Sequence, residues 1–192
     1  MKSISIKPLI VDLKDYAVIS VEATLHDAIQ ILEESHERFF KAIHVHGGNR
    51  YKHRAVLVAD QKDRIVGKLN QYDMIKGLEP RYDEIGDDSR LSRFGITRSF
   101  MHDQMRLFGL WQSPLSHICR KASSIKVRHI MRPMTPDCII SEDTALDEVI
   151  HRFIVYKRQL LLVNRGEETI GVVRLTDIFV EVCLTIKSCG LG

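Results

Sequence analysis

An internal repeat is the feature that most constrains how this chain folds. The segment 18–29 matches the segment 139–150, with apolar residues at the same spacing in both. Two further matches follow in the same order, between 51–58 and 156–163 and between 65–74 and 169–178. Three matches in one order indicate a duplicated supersecondary unit. The sequence therefore predicts two copies of one unit.

Each copy is predicted to form a strand, a helix, a hairpin of two strands and a closing helix. Short β-branched runs precede Thr-x-x-Asp sequences, which cap helix N-termini, at Thr24 to Asp27 and Thr144 to Asp147. Apolar residues at three-and-four spacing extend the first helix to about Ile43. Apolar runs joined by polar turns predict the hairpins. The closing helices are expected to start near Tyr72 and Thr176.

The repeated unit resembles the paired cystathionine-β-synthase (CBS) domains, also called Bateman modules. The resemblance rests on Gly67 to Asp73, on Gly171 to Asp177, and on the lead-in to the second copy, which contains 127–131 and 134–136. It implies an α+β fold in which two βαββα CBS-type repeats pack sheet to sheet as a pseudo-twofold pair. It also implies clefts that bind adenosine-containing ligands, and sensing instead of catalysis.

On this resemblance the chain divides into four parts. The first CBS-type repeat covers 8–78 and includes a long first helix and a His-containing loop. A helical insert covers 79–126, the second CBS-type repeat covers 127–186, and a flexible tail covers 187–192.

The resemblance implies ligand-binding residues at the starts of the closing helices. In the family an Asp at this place accepts hydrogen bonds from both ribose hydroxyls, and its matches here are Asp73 and Asp177. The alternative is that each Asp only caps its helix. Where the family has Thr or Ser, this chain has Asn70 and Arg174. Asn70 still offers a hydrogen bond, whereas Arg174 either holds a phosphate or fills the cleft and excludes ligand.

The remaining candidate residues lie at other edges of the predicted clefts. Thr135 and Pro136 match a family segment that lines the adenine slot, and Thr176 belongs to the second closing helix start. Basic residues precede the central strand in both copies. In the family, an Arg or His at this edge often faces the phosphates of the bound ligand. The basic residues here are His53, Arg54, Lys157 and Arg158. Their alternative role is that of solvated charges at a strand end.

No motif nominates a catalytic residue or a resident cofactor. The sequence has no dinucleotide-binding glycine motif, no Walker-type loop and no nucleophile elbow. His44 and His46 alternate as on one strand face, with His53 nearby, which raises a metal hypothesis. No acidic or thiol partner lies at a diagnostic spacing, so a polar hairpin or loop is favoured. We expect no enzyme activity, no metal and no cofactor beyond a regulatory ligand.

The insert is longer than a linker between tandem units needs to be. Apolar residues between 89 and 111 fall on two stripes of one predicted helix, which indicates two packing partners. One partner is the domain itself, and the other is a second subunit or another protein. The first stripe contains Leu91, Phe94, Met101, Met105 and Phe108, and the second contains Ile96, Phe100, Leu107 and Trp111. The insert is also rich in Arg, but these residues spread around the helix, so nucleic-acid binding is the weaker interpretation.

Charge and hydropathy narrow the function classes. The net charge of +3 is too small to identify a nucleic-acid binder, and neither a membrane span nor a signal peptide is recognisable. We expect a cytoplasmic, homodimeric regulatory module that binds AMP, ADP, ATP or S-adenosylmethionine in one or both clefts. The alternatives are a ligand-free dimerisation scaffold and, less favoured, a nucleic-acid binder that uses the basic insert.

Overall fold

A computed structural model describes residues 4–46, 55–83, 98–112 and 115–188 of the chain. His53, Arg54, the first part of the expected insert helix and the last four residues of the expected tail lie outside these ranges. In the described residues no helix is both long enough and apolar enough to cross a membrane.

The predicted α+β fold of two βαββα repeats is confirmed. Strand β1 (Val11–Asp12) precedes the first repeat, which contains β2 (Val18–Ser20), α1 (Leu25–His46), β3 (Ala55–Ala59), β4 (Ile65–Asn70) and α2 (Gln71–Leu78). The insert contains α3 (Arg98–Leu107) and α4 (Leu115–Ser124). Strand β5 (Arg132–Pro133) leads into the second repeat, which contains β6 (Ile139–Ser141), α5 (Leu146–Val155), β7 (Leu160–Arg165), β8 (Glu168–Arg174) and α6 (Leu175–Ser188).

The two repeats exchange their lead-in strands. One sheet has the order β2-β3-β4-β5 and the other has the order β1-β8-β7-β6, so each repeat receives one edge strand from the segment that precedes the other. The exchange extends to the cores, because Ile6 is fully buried in the second repeat and Val127 is fully buried in the first. The repeats are therefore interlocked through both chain segments.

The sheets pack face to face through a third apolar cluster. Its buried members are Tyr16, Leu57, Leu160, Leu162 and Val172. This cluster confirms the sheet-to-sheet packing of a pseudo-twofold pair. Two other clusters lie between each sheet and the helices of its own repeat.

The insert differs from its predicted single helix. Helix α3 ends at Leu107 instead of continuing to about Leu110, and the chain then turns, with a φ of 55° at Trp111. A second helix, α4, follows that the sequence pattern did not reveal, and its Ala122 is buried in the first core. Met101 and Met105 of the first predicted stripe are exposed.

Glu79, directly after α2, connects the insert to the first repeat. Its side chain is only 2% exposed. It accepts hydrogen bonds from the guanidinium of Arg81 at 2.7 and 3.0 Å and from the backbone N–H of Trp111 at 3.2 Å. The ammonium of Lys121 lies 3.7 Å away. These donors hold the pKa of Glu79 below its usual value, chiefly through Arg81, and they anchor both ends of the insert to the end of α2.

Two local expectations from the sequence are wrong. The hairpin or loop expected at His44 and His46 is wrong, because helix α1 extends to His46. Thr24 and Asp27 form the expected reciprocal cap, with Thr24 N–H to Asp27 Oδ2 at 2.9 Å. The equivalent Thr144 instead accepts a hydrogen bond from the N–H of Ser141, and α5 starts without a side-chain cap.

The exchanged strands approach β4 and β8 at the two repeated glycines. A Cβ on Gly171 would collide with the carbonyl oxygen of Val11 and lie 2.8 Å from Cγ2 of Ile10. A Cβ on Gly67 would lie 2.6 Å from Sδ of Met131 and 3.1 Å from the carbonyl oxygen of Arg132. Gly171 therefore leaves the room that the backbone of β1 needs, and Gly67 leaves room for β5 and the side chain of Met131.

We predict unequal costs for alanine at these two positions. Gly171→Ala meets a backbone atom that cannot move without breaking the pairing of β1, so it should lower the free energy of unfolding by about 2 to 3 kcal/mol, the upper part of the overpacking range. Gly67→Ala first meets a flexible Met side chain and should cost less. Urea unfolding of both variants measures the difference, and equal or inverted costs would contradict the account.

Candidate functional site

A cavity of about 430 Å³ lies between the two repeats, at the N-terminal ends of α2 and α6. Equivalent positions of the two repeats face each other across it, so it lies on the pseudo-twofold axis. The lining includes Tyr16, Lys68, Asn70, Gln71 and Tyr72 from the N-terminal half and Gln159, Arg174, Leu175 and Thr176 from the second repeat. Three of the candidate residues, Asn70, Arg174 and Thr176, are thereby brought together.

Lys68 lines this cavity from the inter-sheet face of β4. It lies directly opposite Leu57 in the sheet, and Leu57 belongs to the apolar cluster between the sheets. Burial lowers the pKa of Lys68, since a low-dielectric surrounding disfavours the charged form. Cys138 and Asp73 act in the opposite direction, whereas Arg158 and Arg132 lower the pKa further.

Asp73, the first candidate ribose ligand, is buried and already bound by protein groups. It forms a capping box with Asn70, whose side chain accepts from the Asp73 N–H at 2.9 Å. The backbone N–H of Asn70 donates to Oδ2 of Asp73 at 3.2 Å, and the Nε of Arg132 donates to Oδ1 of Asp73 at 2.6 Å. The same guanidinium lies 5.8 Å from the ring centre of Tyr72. A ribose that binds Asp73 must therefore compete with Arg132 for the carboxylate.

Asp177, the second candidate, is held by Arg174. Nε and Nη2 of Arg174 each donate to one oxygen of Asp177 at 2.6 Å, which is a bidentate pair. The side chains of Arg174 and Asp177 are only 8% and 17% exposed. Tyr16 lies close enough to feel both charges, and burial raises its pKa to about 12. Arg174 thus neutralises the carboxylate of Asp177.

Thr135 and Arg158 form a separate cluster at the lead-in to the second repeat. Arg158 donates to Asp137 Oδ2 at 2.8 Å and to Thr135 Oγ1 at 3.3 Å. Bonds from Thr135 and then Arg158 hold the pKa of Asp137 below its usual value. Pro136 is exposed and starts the 3-10 turn that contains Asp137. Lys157 is exposed in a left-handed conformation with a φ of 50° and does not line the cavity.

The structure adds cavity residues that sequence reasoning missed. Lys68 interrupts an apolar strand, and its pseudo-symmetric counterpart is Val172, so a comparison of the two repeats contains a signal for it. Arg132 carries no such signal, because its contact with Asp73 exists only through the exchange of β5. In the described residues, no group of three side chains is arranged to hold a metal ion.

The comparison with protein families matches residues 127–183 to the CBS domain. A comparison with curated proteins finds no match.

Solved structures match over almost the whole chain. A CBS domain-containing protein of unknown function from Kribbella flavida shares 15% identity, covers 94% of this chain and 98% of its own, and has a TM-score of 0.58. The CBS-pair protein CBSX2 from Arabidopsis thaliana shares 15% identity, with 97% and 99% covered and a TM-score of 0.57. A structure of CBSX2 in complex with AMP shares 16%, with 95% and 98% covered and a TM-score of 0.54.

We predict that Asp177→Asn destabilises the fold, because it deprives a buried guanidinium of its bidentate carboxylate. The loss should be near the lower end of the roughly 3 to 5 kcal/mol typical of a broken buried pair. Asp143→Asn is the matched control, since it breaks an ion pair with Lys7 whose side chains are 75% and 55% exposed; it should cost much less, because water screens an exposed pair. Thermal unfolding that shows equal costs would contradict this assignment.

Proposed function

Because the chain folds as a CBS-domain pair and its residues 127–183 form a CBS domain, we propose that it is a regulatory module for an adenine nucleotide or a related adenosyl ligand. The observation that carries the proposal is the cavity between the repeats. Its volume falls within the range of small-molecule sites. Tyr72 and Tyr16 offer aromatic surface, Asn70 and Gln159 offer amides, and Lys68 offers a positive charge.

The structural likeness to CBSX2 supports an adenine nucleotide as the class of ligand. CBSX2 has the same fold and is described in complex with AMP. At 16% identity the likeness concerns the fold, so the residues that bind a nucleotide must be argued from this chain alone.

Binding at this cavity is coupled to both repeats and to the insert. Helices α2 and α6 both start at the cavity wall, and the buried Glu79 joins the far end of α2 to the insert. The two repeats can adopt two relative arrangements, and a ligand that contacts both helix starts stabilises the arrangement to which it binds more tightly. The size of this shift equals the difference between its binding free energies for the two arrangements. We propose that this shift reaches a partner through α3, where Met101 and Met105 are exposed.

Homodimerisation is part of the proposal and is assigned to α6. Four exposed apolar residues follow each other at spacings of four, three and four, the pattern of a helix-packing seam. These residues are Leu175, Phe179, Val182 and Ile186. Nearby Ile154 and Val155 of α5 are also exposed, and they enlarge the apolar surface available to a second subunit.

A ligand-free scaffold is the second candidate, and the two ion pairs favour it. Arg132 occupies Asp73 and Arg174 occupies Asp177, so both carboxylates expected to bind ribose are engaged within the chain. In this case the module serves only to join partners or subunits. For the nucleic-acid alternative, the described Arg106 of the insert lies beside the carboxylate of Asp103, and Arg128 at the start of the second repeat lies beside that of Glu22. Neither charge is therefore wholly available to a phosphate.

A ligand panel separates the sensor from the scaffold. The full chain is titrated with AMP, ADP, ATP, adenosine and S-adenosylmethionine by calorimetry and thermal unfolding, with GTP as the base-specificity control. For a regulatory affinity near 10 μM, a ligand at a hundred times its Kd should stabilise the fold by about 2.7 kcal/mol. Absence of heat and of any stabilisation with every adenine compound at millimolar concentration would favour the scaffold.

The dimer interface is tested by two matched charge insertions. Phe179→Glu places a carboxylate in the α6 seam and should convert a dimer into a monomer in sedimentation experiments, because a charge cannot be desolvated there cheaply. Met105→Glu makes the same kind of change on the exposed face of α3 and should leave the dimer intact. A dimer that survives Phe179→Glu but not Met105→Glu would place the interface on the insert.

A further inference from the structure

We infer that Lys68 recognises an anionic group of the ligand, so that the cavity selects phosphorylated compounds over neutral nucleosides and over cationic S-adenosylmethionine. This inference rests on the proposed function, since it names the ligand class of the same cavity. It assigns one anion position to each chain, on the first-repeat side of the pseudo-twofold axis.

Lys68 lies on the strand face that contributes to the apolar cluster between the sheets. The second repeat has Val172 at the equivalent place, fully buried opposite Leu162 in the same inter-sheet cluster. An ammonium at such a place is partly desolvated and disfavours folding, whereas valine there favours it. Packing alone therefore does not account for lysine at this position, and a ligand charge does.

Positive charge exceeds negative charge around Lys68. Its electrostatic neighbours in the described part of the chain are the thiol of Cys138, the guanidinium groups of Arg158 and Arg132, and the carboxylate of Asp73. Arg158 is already bound to Asp137 and Arg132 to Asp73. None of the ion pairs among the described residues includes Lys68, and the two nearby carboxylates are paired with the arginines. The three cations and two carboxylates leave a surplus positive charge on the group that lines the cavity.

The two halves of the cavity differ in whether their cation is paired with a carboxylate. Arg174, the cation of the second half, is held by both oxygens of Asp177 and has its charge compensated. Lys68 is the cavity cation that lacks such compensation in the described residues. A phosphate beside Lys68 would replace hydration of the ammonium by a charge-assisted hydrogen bond, at a site where the ammonium is already partly desolvated.

Lys68→Met tests the inference because methionine fills the same space without the charge. The variant should lose at least tenfold in affinity for AMP, ADP and ATP while its weak affinity for adenosine stays unchanged. Its melting temperature without ligand should equal or exceed that of the wild type, which shows that the lost affinity does not come from unfolding. Lys62→Met, in the exposed turn between β3 and β4, removes the same charge at the surface and should leave every affinity unchanged.

Inorganic tripolyphosphate serves as a probe that is independent of adenine. If no adenine compound binds the wild type but tripolyphosphate binds and Lys68→Met abolishes its binding, the proposed function is wrong and the anion site stands. If Lys68→Met binds nucleotides and tripolyphosphate as tightly as the wild type, or loses adenosine equally, the inference is overturned. If the wild type binds S-adenosylmethionine more tightly than every phosphorylated compound, or binds none of the probes, the inference is also overturned.

Discussion

The exchange of lead-in strands is the constraint on which the rest of the structure depends. Strands β1 and β5 cross to the opposite repeat, and they pair with β8 and β4 at Gly171 and Gly67, which leave room for the approaching chain. The exchange brings the two sheets face to face around a common apolar cluster. It also sets the starts of both closing helices on one cavity, which neither repeat forms alone.

Charge breaks the symmetry that the backbone creates. The repeats place an Asp at equivalent helix starts, but the two carboxylates meet different arginines, one from the exchanged strand β5 and one three residues upstream in the same repeat. At another equivalent pair of positions, the first repeat has Lys68 where the second has Val172. A duplicated fold has thus acquired a cavity with one compensated half and one half that carries surplus positive charge, which suits a single asymmetric ligand.

The sequence predicts the repeats, the hairpins, the closing helices and the fold, because these follow from local periodicity and from motifs such as Gly67 to Asp73. It does not predict the hydrogen bond from Arg132 to Asp73, since the strand exchange brings together two residues that are far apart in sequence. It missed α4, which follows a turn that contains the left-handed Trp111. Lys68 was overlooked because a single polar residue in a strand normally indicates a solvent-facing position, whereas here both faces of β4 are covered.

The central claim is that the cavity shared by the two repeats is the ligand site. Backbone amide shifts of isotope-labelled protein, followed by nuclear magnetic resonance during addition of AMP, test it most directly. The account predicts that the largest saturable changes come from both repeats at once, at Lys68 and Tyr72 on one side and at Gln159 and Thr176 on the other. Changes confined to one repeat, or located away from the starts of α2 and α6, would contradict it.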